Sequence, residues 1–138
     1  MNNFSLYKPR KKGGGSASQW NLNIDKKSVF LELAEQVGSE QKFNWENKIC
    51  MKLGVNDMGE LIATLENRQK AINGGKGLFH ENEQGNSSLN LTRSDNGWFL
   101  NVGVKKEKLT KISHSLSFGE GAILLTLLRV AIQRIYGW

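Results

Sequence analysis

The sequence holds one cysteine, two histidines and no apolar run long enough to cross a bilayer. A lone Cys50 excludes an intramolecular disulfide and makes a reducing compartment the simplest setting, with its thiol read as strand packing. His80 and His114 stand isolated, and the chain carries no H-E-x-x-H, paired-cysteine or G-x-S-x-G pattern. The 13 acids are outnumbered by 19 bases and lie scattered beside lysines, where a metal nuclease needs a carboxylate cluster. Gly74-Gly75-Lys76-Gly77 lacks the spacing of a phosphate loop and precedes a strand pattern, so it reads as a helix stop and turn. The most apolar stretch, Ala122 to Leu128, is short and followed by Arg129, and Met1 to Arg10 lacks the apolar centre of a secretory signal. These absences predict a soluble, non-enzymatic protein with no metal, no cofactor, no small-molecule substrate and no membrane partner.

What is present is positive charge on a patterned chain. A net charge of +6 and a pI near 9.6 favour anionic partners, nucleic acid before an acidic membrane surface or an acidic protein. With 138 residues, 38% hydrophobic content and four tryptophans, one domain can bury an ordinary core. From Lys42 to Leu53 the chain alternates with period two, Phe43, Trp45, Ile49, Met51 and Leu53 against Lys42, Asn44, Glu46, Lys48 and Lys52. That is the pattern of a long half-buried strand with a cationic outer face. Its parity breaks at Asn47 and Cys50, which places a bulge near Glu46 and leaves open whether Trp45 is core or a stacking platform.

Two strands-then-helix halves follow from the remaining pattern. Residues 1–16 form a basic, glycine-rich arm, Lys8-Pro9-Arg10-Lys11-Lys12 running into Gly13-Gly14-Gly15-Ser16, with Asn3 to Lys8 open to reading as a short edge strand. Residues 17–138 form the single domain. Ser18 to Ile24 and Ser28 to Ala34 alternate on either side of a tight Asp25-Lys26-Lys27 connection, with Phe30 on the outward parity. Asp57 and Glu60 open a helix as a capping pair, Met58, Leu61, Ile62 and Leu65 give it an apolar stripe, and Asn73-Gly74-Gly75 ends it. Strands are then expected at Leu78-Phe79-His80, at Ser88 to Arg93, around Trp98 to Val104 beyond an Asp95-Asn96-Gly97 turn, and from Leu109 to Leu116. Ser117-Phe118-Gly119-Glu120 is a capping box for a helix reaching about Tyr136. That helix is apolar nearly all round, so burial on more than one side is expected, with Ile123, Leu124, Leu127, Leu128, Ile132 and Ile135 as the oligomer interface.

The plan, an α+β chain of two antiparallel sheets of about four strands each followed by a helix, resembles the Whirly fold. It is also similar to the smaller transcriptional positive cofactor four family. Leu6-Tyr7-Lys8-Pro9, Lys42-Phe43-Asn44-Trp45-Glu46, Gly77-Leu78-Phe79-His80 and the ending from Leu116-Ser117 to Gly137-Trp138 resemble short prokaryotic and phage proteins of this type. The resemblance covers nearly the whole chain. It implies binding of single-stranded DNA without strict sequence preference, in replication, recombination or transcription, as a homodimer or homotetramer, in a bacterial or phage-infected cytoplasm. RNA stays open as a ligand. The lysine-rich K-G-K-A-A-L block of plant members is absent, which puts higher-order assembly in doubt.

On this reading lysines neutralise phosphates and exposed aromatics stack bases. The phosphate candidates are Lys8, Arg10, Lys11, Lys12, Lys42, Lys48, Lys52, Lys105 and Lys111; Phe30, Trp45 and Phe79 are the stacking candidates, and Trp20 and Trp98 belong to the core. Two alternatives remain, a regulator acting through duplex DNA or RNA polymerase and a purely structural oligomerisation module.

Overall fold

A computed structural model describes residues 2–82 and 85–138. Alternating strand sequences give two antiparallel four-stranded sheets, and each sheet runs in simple chain order. The first holds β1 (Phe4–Lys8), β2 (Ser16–Asn23), β3 (Ser28–Glu35) and β4 (Ile49–Leu53). The second holds β5 (Leu78–Asn82), β6 (Gly85–Ser94), β7 (Gly97–Lys105) and β8 (Leu109–Ser117). Helix α1 (Val55–Leu65) follows the first sheet, and α2 (Phe118–Tyr136) follows the second. The doubled strands-then-helix plan is therefore the architecture observed.

One continuous core is shared by both sheets and both helices. Leu31, Leu33, Met51 and Leu53 from the first sheet meet Leu89, Leu91, Leu100 and Leu116 from the second, with Met58, Leu61, Leu124 and Leu128 from the helices. Helix α2 approaches β7 closely at Gly121, where a Cβ would lie 2.5 Å from Trp98 Nε1. Ser117 and Glu120 cap α2 reciprocally: the Ser117 hydroxyl accepts the Glu120 N–H at 3.1 Å, and the Glu120 carboxylate accepts the Ser117 N–H at 2.8 Å.

Several local expectations give way. The strand expected from Lys42 to Leu53 is only Ile49–Leu53. In the β3–β4 register Leu33 faces Ile49, so Gln36 would face Glu46; it bridges to Phe43 instead. The three surplus residues are taken up by a single 3₁₀ turn, Trp45–Asn47, at the place where the alternation breaks. Helix α1 ends at Leu65 well before Asn73, because the chain turns left-handed at Asn67 (φ 61°). Asn73-Gly74-Gly75 belongs to a separate short turn, Ile72–Gly75. Gly54 is the N-cap of α1, and Asp57, three residues in, accepts its N–H at 2.9 Å; Glu60 lies in the next turn and accepts the Gln69 side-chain amide.

The short edge strand left open at Asn3 to Lys8 is present as β1, at the edge of the first sheet. Strand β1 pairs along β2 from Phe4↔Trp20 to Lys8↔Ser16, so the basic glycine run is the hairpin connection between them.

Candidate nucleic-acid interface

The inward faces of both sheets are spent on the core, which leaves their outer faces to meet a ligand. On the second sheet the pairing aligns three outward rows: Phe79, Ser88, Gly103 and Lys111; Asn90, Asn101 and Ser113; Thr92, Phe99 and Ser115. The middle positions are small and polar. Gly103 has its would-be Cβ 3.2 Å from Ser88 Oγ, so any larger side chain would fill the floor there. The result is an open hollow of about 270 Å³ lined by Lys76, Ser88, Asn90, Asn101, Gly103, Lys111 and Ser113. Phe79 (60% exposed) and Phe99 (47% exposed) stand on either side of it. From their registers the two rings sit four residues and two strands apart, roughly 17 Å on ordinary sheet spacings.

Ser113 also lines a second hollow of about 220 Å³, made by Lys8, Pro9, Arg10, Gly14, Gly15, Ser16 and Ser115. The β1–β2 connection therefore overhangs the edge of β8, and the polar outer face runs on into a basic loop. Beneath this seam, His114 of β8 is 1% exposed and bonded through both ring nitrogens, Nδ1 to Ser16 Oγ at 2.7 Å and Nε2 to Ser18 Oγ at 2.9 Å. Ser16 donates onward to the Ser113 carbonyl at 2.9 Å, and Trp20 Nε1–H donates to Ser18 at 3.3 Å. One proton arrangement satisfies every bond: Trp20 to Ser18, Ser18 to Nε2, Nδ1–H to Ser16, Ser16 to Ser113. The imidazole is thus neutral, and burial, helped by the Lys8 charge against the opposing Glu120, lowers its pKa to about 4.

A family model described as Whirly transcription factor matches residues 8–127. The chain belongs to the Whirly family. No curated protein matches the sequence. Among solved structures, WHY3 from Arabidopsis thaliana superposes with a TM-score of 0.79 at 15% identity, covering 100% of this chain and 90% of that one. The plant transcriptional regulator PBF-2 gives 0.74 at 18% identity, covering 99% and 83%. A guideRNA-binding protein complex bound to a gRNA gives 0.73 at 12% identity, covering 99% and 92%.

In this Whirly chain the candidate residues fall into three groups. Phe79 and Lys111 lie on the outer face of the second sheet, and exposed Lys105 lies on the same parity at the end of β7. Arg10, Lys11 and Lys12 are exposed in the β1–β2 loop, and exposed Lys42 lies in the loop after β3. On the outer face of the first sheet, Phe30 pairs with Lys52 and is half-buried, with the Lys26 ammonium 5.5 Å from its ring centre.

Two of the cations are engaged within the fold. Lys8 is ion-paired to Glu120 and Lys48 to Glu32. The hydrogen bond and charge of Glu32 raise the Lys48 pKa. Burial tends to raise the Glu120 carboxyl, but its bonds to Lys8 and Ser117 outweigh that and hold it below its ordinary value. Trp45 is half-buried in its 3₁₀ turn against β3 rather than standing on a sheet face. Cys50 is exposed, on the outward parity of β4 opposite Glu32, instead of packed inside; partial desolvation of its thiol by its neighbours and the Glu32 charge raise its pKa. His114 is the hub of the sheet–sheet seam and not an isolated strand residue, while His80 bonds Asp57 at 2.9 Å.

Sequence reasoning missed Phe99, Lys76 and the Asn90–Asn101–Ser113 row. Phe99 was available from parity alone, since Trp98, Leu100 and Val102 point inward. Among the described residues no cluster of acidic, histidine or cysteine side chains is placed to hold a metal, and no helix is long and apolar enough to cross a membrane.

Proposed function

We propose that this protein binds single-stranded nucleic acid, DNA in the first instance, without strict sequence preference, along the outer face of its second sheet and the adjoining basic loops. The observation that carries this reading is the continuity of the surface: two hollows share Ser113, Phe79 and Phe99 flank one of them, and Lys76, Lys111 and Arg10 border the path. Phosphates would meet the lysines and arginine with release of counterions, while unpaired bases stack on the two phenylalanines. A duplex hides its base faces and gains little from such a surface. The first sheet offers a poorer face, because Glu32 neutralises Lys48 and Phe30 is partly covered by Lys26.

A role in transcription accords with the family's description, and replication or recombination would use the same binding. RNA is the second ligand to consider, since a structure of the same fold is a guideRNA-binding complex. For self-association to a homodimer or homotetramer, α2 presents Ile123, Leu127 and Val130 to solvent. Leu124 and Leu128, expected at that interface, are buried in the chain's own core.

Fluorescence anisotropy with labelled single-stranded DNA, duplex DNA and RNA at two salt concentrations tests the proposal. Single strands should bind more tightly than duplex and weaken as salt rises. Equal affinity for duplex, or indifference to salt, would reject it.

A further inference from the structure

One buried amide joins two loops that together carry four cations, Arg10, Lys11, Lys12 and Lys42. Gln36, 8% exposed, follows β3 directly. Its Oε1 accepts the N–H of Arg10 and the N–H of Gly15, both at 2.9 Å; its Nε2 donates to the Arg10 carbonyl at 2.9 Å and the Glu40 carbonyl at 2.7 Å. All four bonds available to a glutamine side chain are made, and all four go to backbone. The Gln36 N–H adds a fifth tie, to the Gly15 carbonyl at 3.0 Å.

The surroundings are built to let this side chain in. A Cβ on Gly15 would lie 2.6 Å from Gln36 Oε1 and collide with the Lys8 carbonyl. The two loops also touch directly: a Cβ on Gly13 (φ +86°) would lie 2.5 Å from the Gly38 carbonyl. One loop, residues 9–14, carries Arg10, Lys11 and Lys12, and the other, residues 37–42, carries Lys42 together with Glu40. A glycine-rich basic loop without such ties would be a flexible coil that loses conformational entropy whenever it closes on a ligand.

We infer that Gln36 is a positioning residue for nucleic-acid binding: it holds the basic β1–β2 loop, which lies beside β8, in one fixed arrangement against the loop that carries Lys42, so that Arg10, Lys11 and Lys12 meet the strand already ordered. The inference rests on the proposed single-strand binding. A neutral amide suits the task, since it both donates and accepts and adds no charge to the site. Leucine at this position keeps comparable bulk and makes none of the four bonds.

The test is a double-mutant cycle with a labelled oligothymidylate, comparing the wild type, Gln36→Leu, the triple variant Arg10→Gln/Lys11→Gln/Lys12→Gln, and the two combined. Gln36→Leu should bind about tenfold more weakly, the loss expected when a preorganised loop must be ordered on binding. In the triple background the same change should cost much less, because the cations it positions are gone. An undiminished cost there, or unchanged affinity with the four bonds removed, overturns the inference. Should Gln36→Leu fail to fold, hydrogen exchange on the wild type decides: the Arg10 and Gly15 amides should be protected, and exchange at the rate of a free loop overturns it. If the wild type itself does not bind, the functional reading fails instead, and the exchange measurement still reports on the staple.

Discussion

His114 of the second sheet and Ser16 of the first are joined across the seam by a 2.7 Å hydrogen bond, and the polar chain through them ends on the Ser113 carbonyl. The basic loop ends just before Ser16, the first residue of β2, and Ser113 lines both outer hollows. A structural bond between sheets thus fixes the edge of the surface assigned to nucleic acid.

Acid should loosen this seam. His114 titrates near 4 in the folded chain against an ordinary 6.5, so between those values the unfolded chain binds the extra proton. Stability from this residue is fully present above about pH 6.5 and is lost as pH falls towards 4. A shift of that size is worth about 3 kcal/mol, from 1.36 kcal/mol per pH unit. Thermal melts of the wild type and His114→Gln from pH 7.5 to 4 should show a steeper fall for the wild type; parallel curves would count against the neutral, buried imidazole.

Packing at the top of α2 leaves no room for a methyl group. Gly121→Ala places a Cβ against the Trp98 indole, with Leu65 close on the other side. Overpacking of this kind costs about 1 to 3 kcal/mol. Urea denaturation should show a lower midpoint, and an unchanged midpoint would mean that the helix can move off the sheet freely.

Self-association is read through exposure along α2. Leu127→Glu alters a solvent-facing side chain and should yield a folded protein of smaller size in sedimentation. Leu124→Glu buries a charge in the core and should unfold the chain whatever its oligomeric state. An identical sedimentation profile for folded Leu127→Glu would remove the exposed stripe from the interface.

Base stacking and phosphate contact should separate by mutation. Phe79→Ala and Phe99→Ala should each weaken single-strand binding by about 1 to 3 kcal/mol. Lys111→Gln should also weaken it and flatten the log–log salt dependence by about 0.7 for one lost phosphate contact on a single strand. Anisotropy titrations over a series of salt concentrations distinguish the two behaviours. Aromatic variants that change only the salt slope would contradict the stacking role.

Much of the architecture was legible because strand parity and helix capping are local. Ser117 and Glu120 cap α2 as their spacing predicts, and the Asp95–Asn96 turn joins Ser94 to Gly97. The errors arose where tertiary register decided. Alternation continues across Lys42 to Leu53, yet the Gln36–Phe43 bridge diverts three residues into a turn and takes Trp45 off the sheet. No local pattern announces that Lys8 meets Glu120, 112 residues away, or that Lys48 meets Glu32. The same holds for Gln36, whose partners lie in two loops, and for His114, which looked isolated because its serines belong to the other sheet. Apolar helix composition showed that α2 had surplus hydrophobic surface, but only the packing separates inward Leu124 and Leu128 from outward Ile123 and Leu127.

Amide and side-chain NMR shifts on titration with an oligothymidylate report which face of the protein receives the strand. The largest shifts are expected at Phe79, Ser88, Phe99, Asn101, Lys111 and Ser113, continuing into Arg10. Shifts centred instead on Gln19, Phe30 and Lys52, the outer face of the first sheet, would contradict binding along the second sheet.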